Sequence, residues 1–121
     1  TALSTNNDSN NNMIELVICN NDSMAEGAIT ALNTIGYNQD GGDKTIPVFG
    51  VDATDAAKSL ISKGQMAGSI KQDADGMAQC ITDIISNVAA GKDMMDGIAD
   101  KYTVDDSVNK IRIPYQIYLG E

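Results

Sequence analysis

Residues 14–19 read Ile14-Glu15-Leu16-Val17-Ile18-Cys19, and residues 20–27 continue as Asn20-Asn21-Asp22-Ser23-Met24-Ala25-Glu26-Gly27. The first six are rich in β-branched residues (Ile14, Val17, Ile18) and nearly all apolar, which predicts a strand buried on both faces, as in a parallel sheet. The next eight open with good helix-capping residues, and Ser23 to Glu26 fits a capping box. Apolar residues then recur at Ala25, Ala28, Ile29, Leu32 and Ile35, a helical spacing that Gly36 closes. A strand running directly into a helix is the unit from which α/β folds are assembled.

The same alternation continues downstream. Asn38 to Asp43 is a polar, turn-rich loop. Ile46-Pro47-Val48-Phe49-Gly50-Val51 predicts a second short strand, with Asp52 after it, and Ala56, Ala57, Leu60 and Ile61 mark a second helix. Met66 to Ile70 reads as a third short strand. Met77, Ala78, Cys80, Ile81, Ile84, Ile85, Val88 and Ala89 form a broad apolar stripe on a third helix. Lys110 to Leu119 is extended by composition, and Pro114 makes it an edge strand or an irregular one. Upstream, Thr1 to Asn12 is an Asn-rich polar stretch that reads as a loop, preceded by a helix end at Thr1-Ala2-Leu3-Ser4. A start without Met in such a tail predicts a piece of a longer protein.

Composition narrows the function. Eight basic against 17 acidic side chains give a formal charge of −9, which repels a phosphate backbone and argues against nucleic-acid binding. No apolar run approaches the length of a membrane span. The absence of His excludes a His-based triad and a His-ligated zinc site within these 121 residues. Two cysteines, Cys19 and Cys80, make neither a disulfide scaffold nor a four-thiolate site, and both lie in apolar patterns. Ser, Thr and Asp are plentiful, but no nucleophile has a matched base, so no enzyme is expected.

Ligands of open parallel sheets bind beyond the carboxyl ends of strands. Asn20, Asn21 and Asp22 follow the first strand, Asp52 the second, Gln72 and Asp73 the third. Amides donate and accept, and carboxylates accept, so this set suits a neutral polyhydroxylated ligand. It suits a phosphate poorly, for it has no Gly-rich cradle and no Lys. Each residue also has a plainer role: Asn20 to Ser23, Asp52 and Asp73 can cap helices, and Gln72 can solvate a loop. Glu15 is either an edge residue facing water or a charge held by a partner such as a cation.

The block from Val17 to Ala28, with Asn20-Asn21-Asp22 at its centre, and the block Ile46-Pro47-Val48-Phe49-Gly50-Val51-Asp52-Ala53 carry a resemblance to a known family. It continues through Gly64 to Ile70, Asp73-Ala74, Asn87 to Gly91 and Asn109 to Tyr115. The sequence closely resembles the C-terminal part of the periplasmic galactose/glucose-binding proteins of sugar ABC transporters, from about Met13 to Tyr118. The resemblance implies a partial type I periplasmic-binding-protein fold. Its parts are a disordered or polar loop (1–12), a parallel-sheet C-terminal lobe (13–72), a hinge-crossing helical segment of the N-terminal lobe (73–108) and a returning strand (109–121).

The resemblance further implies that Asn21 and Asp52 hydrogen-bond sugar hydroxyls, with Gln72 at a hinge contact to the sugar. That position is usually Asn in galactose/glucose binders and Gln in the related ribose binders. Glu15 stands where the family places a bidentate ligand of a structural calcium, whose other ligands precede this chain. The implied partners are a hexose, a membrane permease and the missing N-terminal lobe, in an extracytoplasmic setting. Without that lobe, the stripe of residues 77–88 is expected to find another cover: a second copy, an exchanged segment or its own lobe. Effector domains of lactose-repressor-type regulators share the fold and an N-D-x-x-A-x-G-A block. The Ile46-to-Asp52 form favours the binding protein over that alternative.

Overall fold

The structure, a computed structural model, describes residues 2–105, 107–108 and 110–120. Thr1, and Asn109 at the expected start of the returning strand, lie outside them. The chain forms two compact units, Thr1–Lys71 with Ile117–Glu121, and Gln72–Gln116.

The first unit contains α1 (Ala2–Thr5), β1 (Val17–Ile18), α2 (Asp22–Asn33), β2 (Val48–Val51), α3 (Asp55–Ser62) and β3 (Gly68–Lys71). The alternating strands and helices give the α/β architecture expected from the sequence. β1 pairs parallel with β2, aligning Ile18 with Phe49, and β2 pairs parallel with β3, aligning Phe49 with Gly68. The strand order is β1-β2-β3, and beside β3 lies the late strand β6 (Gln116–Tyr118).

One face of this sheet carries the core. Ala25, Ile29 and Leu32 of α2 and Ala57 and Ile61 of α3 pack with Val48 and Met66 in a single cluster. The opposite face stays open: Ile18 is 76% exposed, Ile117 75% and Leu119 63%. The expectation that residues 14–19 are buried on both faces is therefore corrected. Side chains alternate along a strand, and the helices cover only the side to which Val48 points. The first strand is also shorter than its apolar run. Only Val17–Ile18 enters the ladder, through amide bonds from Val17 to Pro47 O and from Cys19 to Phe49 O, both 2.9 Å.

Helix starts follow local capping. α2 begins earlier than the capping-box reading: Asn21, not Ser23, is its N-cap, its side chain accepting from the Met24 amide. Thr54 caps α3 by accepting from the Ala57 amide. The helix end expected at the start of the polar opening is present as α1 (Ala2–Thr5), and the stretch after it is more ordered than its composition suggests. After α1, Asn7 caps a 3-10 turn at Asp8–Asn10.

The polar loop after α2 has a buried purpose. Asn38, only 1% exposed, donates to Ile46 O (2.7 Å) and Gln65 O (2.8 Å) and accepts from the Ile46 amide (2.9 Å). Gln65 returns a bond from its side chain to Asn38 O. One amide thus ties the α2–β2 loop, the entry to β2 and the α3–β3 loop together, with its polar atoms satisfied.

The second unit contains α4 (Ala74–Ala89) and an antiparallel hairpin of β4 (Thr103–Asp105) and β5 (Lys110–Arg112). Asp73 caps α4, accepting from the Gly76 amide at 2.9 Å. The extended stretch from Lys110 to Leu119 is two strands, not one. It breaks between β5 and β6 around Pro114, which has no amide to give to a ladder. Among the described residues of this unit, the buried apolar side chains are Cys80 and Ile98. Met77, Ile81, Ile85 and Val88 are exposed. Cys19 and Cys80 are both free thiols.

Candidate functional site

The carboxyl ends of β1 and β2 are adjacent because the two strands are parallel and in register. Asn21 comes three residues after Ile18, and Asp52 three residues after its register partner Phe49. The fold therefore brings these two predicted residues to one edge of one sheet.

Asn21 is half-buried, with extended backbone (φ −153°, ψ 170°), and its Oδ1 accepts from the Met24 amide at 2.9 Å. Capping occupies the oxygen in that bond, and the amide nitrogen of the same side chain is a donor.

Asp52 is exposed, at the exit of β2, and its amide donates to Ile70 O at 2.8 Å. Its φ is +115°, and that of Ala53 is +52°. Among the described residues, the other positive-φ residues that are not glycine are Asn11 and Asn38, of a type that tolerates such backbone. Neither Asp52 at +115° nor Ala53 has that excuse. Sparsely populated backbone of this kind costs on the order of 1–3 kcal/mol per residue and persists where the surroundings over-determine it, often at ligand sites.

Asp22 stands with Asn20 and Asn21 in the set that follows the first strand, but it does not face outward. Its side chain is 0% exposed and turned into the protein. Its Oδ1 accepts from the Ser69 hydroxyl at 2.6 Å, and its Oδ2 accepts from the Thr54 amide at 2.8 Å. Ser69 Oγ in turn accepts from the Ala53 amide at 3.0 Å. Gly50 makes room for this carboxylate: a Cβ there would collide with Asp22 Oδ1 and come within 2.9 Å of the Met66 methyl. Sequence reasoning missed Ser69 altogether. The one available signal was an acidic residue directly behind a residue better placed to cap.

Gln72 is exposed and begins the second unit, where its carbonyl accepts from the Ala74 amide at 3.0 Å. It borders a cleft of about 540 Å³ within that unit, together with Asp73, Met77, Arg112 and Tyr115. In the first unit, an apolar groove of about 560 Å³ runs between Leu3, Ile14, Val17, Ala28, Leu32 and Ile35. Neither cleft includes Asn21 or Asp52.

Glu15 is exposed and lies just before β1. Among the described residues, no group of three or more His, Cys, Asp or Glu side chains is arranged to hold a metal ion. A calcium ion needs six to eight oxygen ligands, so the residues present do not fit one by themselves.

Tyr102, Lys101 and Asp83 form a polar cluster on the second unit. Asp83 accepts from Lys101 (3.0 Å), Tyr102 (3.2 Å) and Gln79 (3.0 Å). The hydrogen bonds from Lys101 and Gln79 hold its carboxyl below the usual range, and the Lys101 ammonium is raised by the same contact. Burial, then the bond to Asp83, pushes the Tyr102 phenol up.

Comparison with known proteins gives a consistent picture. The periplasmic binding protein domain family matches residues 1–93. The D-galactose/methyl-galactoside binding periplasmic protein of Haemophilus influenzae is 39% identical over 104 residues, covering 86% of this chain and 28% of that protein. A Rhizobium meliloti protein named for rhizopine binding is 36% identical over 78 residues, covering 64% of this chain and 24% of its own length. The chain thus spans about a quarter of the length of these relatives. No helix among the described residues is long and apolar enough to cross a membrane.

Proposed function

The chain belongs to the periplasmic binding protein domain family, and from that premise we propose that it is part of an extracytoplasmic receptor for a hexose, galactose or glucose. The receptor would hand the sugar to a membrane ABC permease and would not be an enzyme. The observation that carries this reading is the pairing of Asn21 and Asp52 past the ends of adjacent parallel strands. An amide and a carboxylate there supply the donor and acceptor that vicinal sugar hydroxyls need. The 39% identical relative is named for galactoside binding, which supports a sugar as ligand and a receptor over a regulator. Gln72 belongs to the same proposal as a separate contact. Self-association through the exposed stripe of Met77, Ile81, Ile85 and Val88 also belongs to it, as does partial calcium ligation by Glu15 in a longer protein.

One open edge binds weakly. Micromolar affinity needs about 8 kcal/mol. Hydrogen bonds that net about 1–3 kcal/mol each, even when charged, fall short of that once ordering costs are met. The chain alone should therefore bind galactose or glucose in the millimolar range.

Titration of the labelled chain with D-galactose, D-glucose and D-ribose, followed by NMR, tests this. Amides around Asn21 and Asp52 are expected to shift and saturate at millimolar sugar, and the sugar giving the tightest curve names the ligand. Asn21→Ser keeps a capping oxygen but loses the amide donor, so it should abolish the shifts while leaving α2 intact. Asp52→Asn should weaken binding at least tenfold. Absence of any shift at these amides, or wild-type binding by both variants, overturns the reading.

A further inference from the structure

We propose that Asp22 and Ser69 are positioning residues: without touching the ligand, they lock the Asp52–Ala53 turn in the backbone conformation that presents Asp52. The proposal rests on the sugar-receptor reading and deepens it. Three observations carry it.

First, the turn holds two successive non-glycine residues at positive φ, +115° at Asp52 and +52° at Ala53. Such backbone needs outside support. Second, three consecutive amides are all engaged from outside the turn. Asp52 donates to Ile70 O, Ala53 to Ser69 Oγ and Thr54 to Asp22 Oδ2. The last two acceptors are themselves joined by the Ser69 hydroxyl bond to Asp22 Oδ1. Third, Asp22 is not spent on its own helix. Asn21 already caps α2, so both Asp22 oxygens are available to the turn. Asp22 and Ser69 are 0% and 1% exposed, which keeps water from competing for these bonds. The negative charge of Asp22 sits in the first turn of α2, where the helix dipole favours it.

The substitutions Asp22→Asn and Ser69→Ala break the lock in different ways. Asn presents an NH2 group to one of two donors, and Ala removes the acceptor for the Ala53 amide. In the 121-residue chain, hydrogen exchange read by NMR should accelerate at least tenfold at Asp52, Ala53 and Thr54 in both variants. Exchange at Ile29 and Val48, in the core, should change by a much smaller factor. The D-galactose dissociation constant should rise at least fivefold, and Ser69→Thr, which keeps the hydroxyl, should restore both readouts toward wild type.

Equal acceleration at the turn and at the core would mean a general loss of stability and overturns the proposal. So would wild-type protection at residues 52–54, or an accelerated turn with unchanged galactose affinity. If the wild-type chain gives no galactose response, the receptor reading fails, while the exchange comparison still decides whether Asp22 and Ser69 hold the turn.

Discussion

The two units treat their apolar side chains in opposite ways. In the first, the stripes of α2 and α3 close over Val48 and Met66, so that Ala25, Ile29, Leu32, Ala57 and Ile61 are buried. In the second, α4, at 16 residues, is the longest helix among the described residues and carries a broad apolar stripe, yet Cys80 is its buried side chain, while Ile81 is 57% and Ile85 62% exposed. Periodicity specifies which face of a helix is apolar; it does not specify a partner for that face. Two helices of similar pattern can therefore contribute very differently to stability.

The largest expected effect is the contrast between Ile29→Ala and Ile85→Ala. The first empties a buried core site and should cost about 2–5 kcal/mol. The second trims a side chain that is exposed in the monomer and, at concentrations too low for self-association, should stay within about 0.5 kcal/mol. Urea unfolding of both variants measures this, and equal losses would erase the distinction between the units.

A second substitution sharpens the contrast from the backbone side. Gly50→Ala pushes a methyl group into the Asp22 carboxylate and should cost about 1–3 kcal/mol, the usual penalty of overpacking. The measured change should appear in the unfolding of the first unit and leave the NMR spectrum of α4 in place.

The smallest effect lies in the second unit and depends on pH. Asp83 has a folded pKa below its unfolded value, so its contribution is present above about pH 4 and is lost as pH falls through the depressed folded value. Lys101, raised by the same contact, contributes below its unfolded pKa and loses that contribution as alkaline pH passes the raised value. Acidification from pH 5 to 2.5 should therefore loosen the contact of Asp83 with Lys101 and Tyr102, seen as shift changes at those residues. Asp83→Asn should flatten the response. An unchanged acid profile in that variant would remove the cluster as a source of stability.

Much of this architecture was legible in the residues. The apolar run ending at Cys19, the helical spacing from Ala25 and the run from Ile46 to Val51 predict the parallel strands and their helices, because burial and period are local signals. The strand-end rule then points to Asn20 to Asp22, Asp52, Gln72 and Asp73, and it takes the family resemblance to single out Asn21, Asp52 and Gln72 among them. What stayed hidden depends on tertiary neighbours. Ile18 looks like a core residue until the helices are seen to cover only the other face. Asp22 looks like a ligand contact until its side chain is found facing Ser69. Asn38 looks like a turn residue, although its amide is among the most buried polar groups present. Ser23 and Asn21 are both competent caps, and only the backbone path chooses between them.

The position of β6 has a consequence for the order of events in folding. A nascent chain that has emerged through Lys71 already holds β1, β2 and β3 and the core helices α2 and α3. The outer neighbour of β3, however, is β6 (Gln116–Tyr118), which in sequence follows nearly all of the second unit. Domains form from the amino end during synthesis, and pairings distant in sequence are slow because the loop must close first. The outer flank of β3 therefore waits open until the second unit has been made. Leu119, which comes to rest over the bare backbone of Gly68, is among the last side chains to be seated.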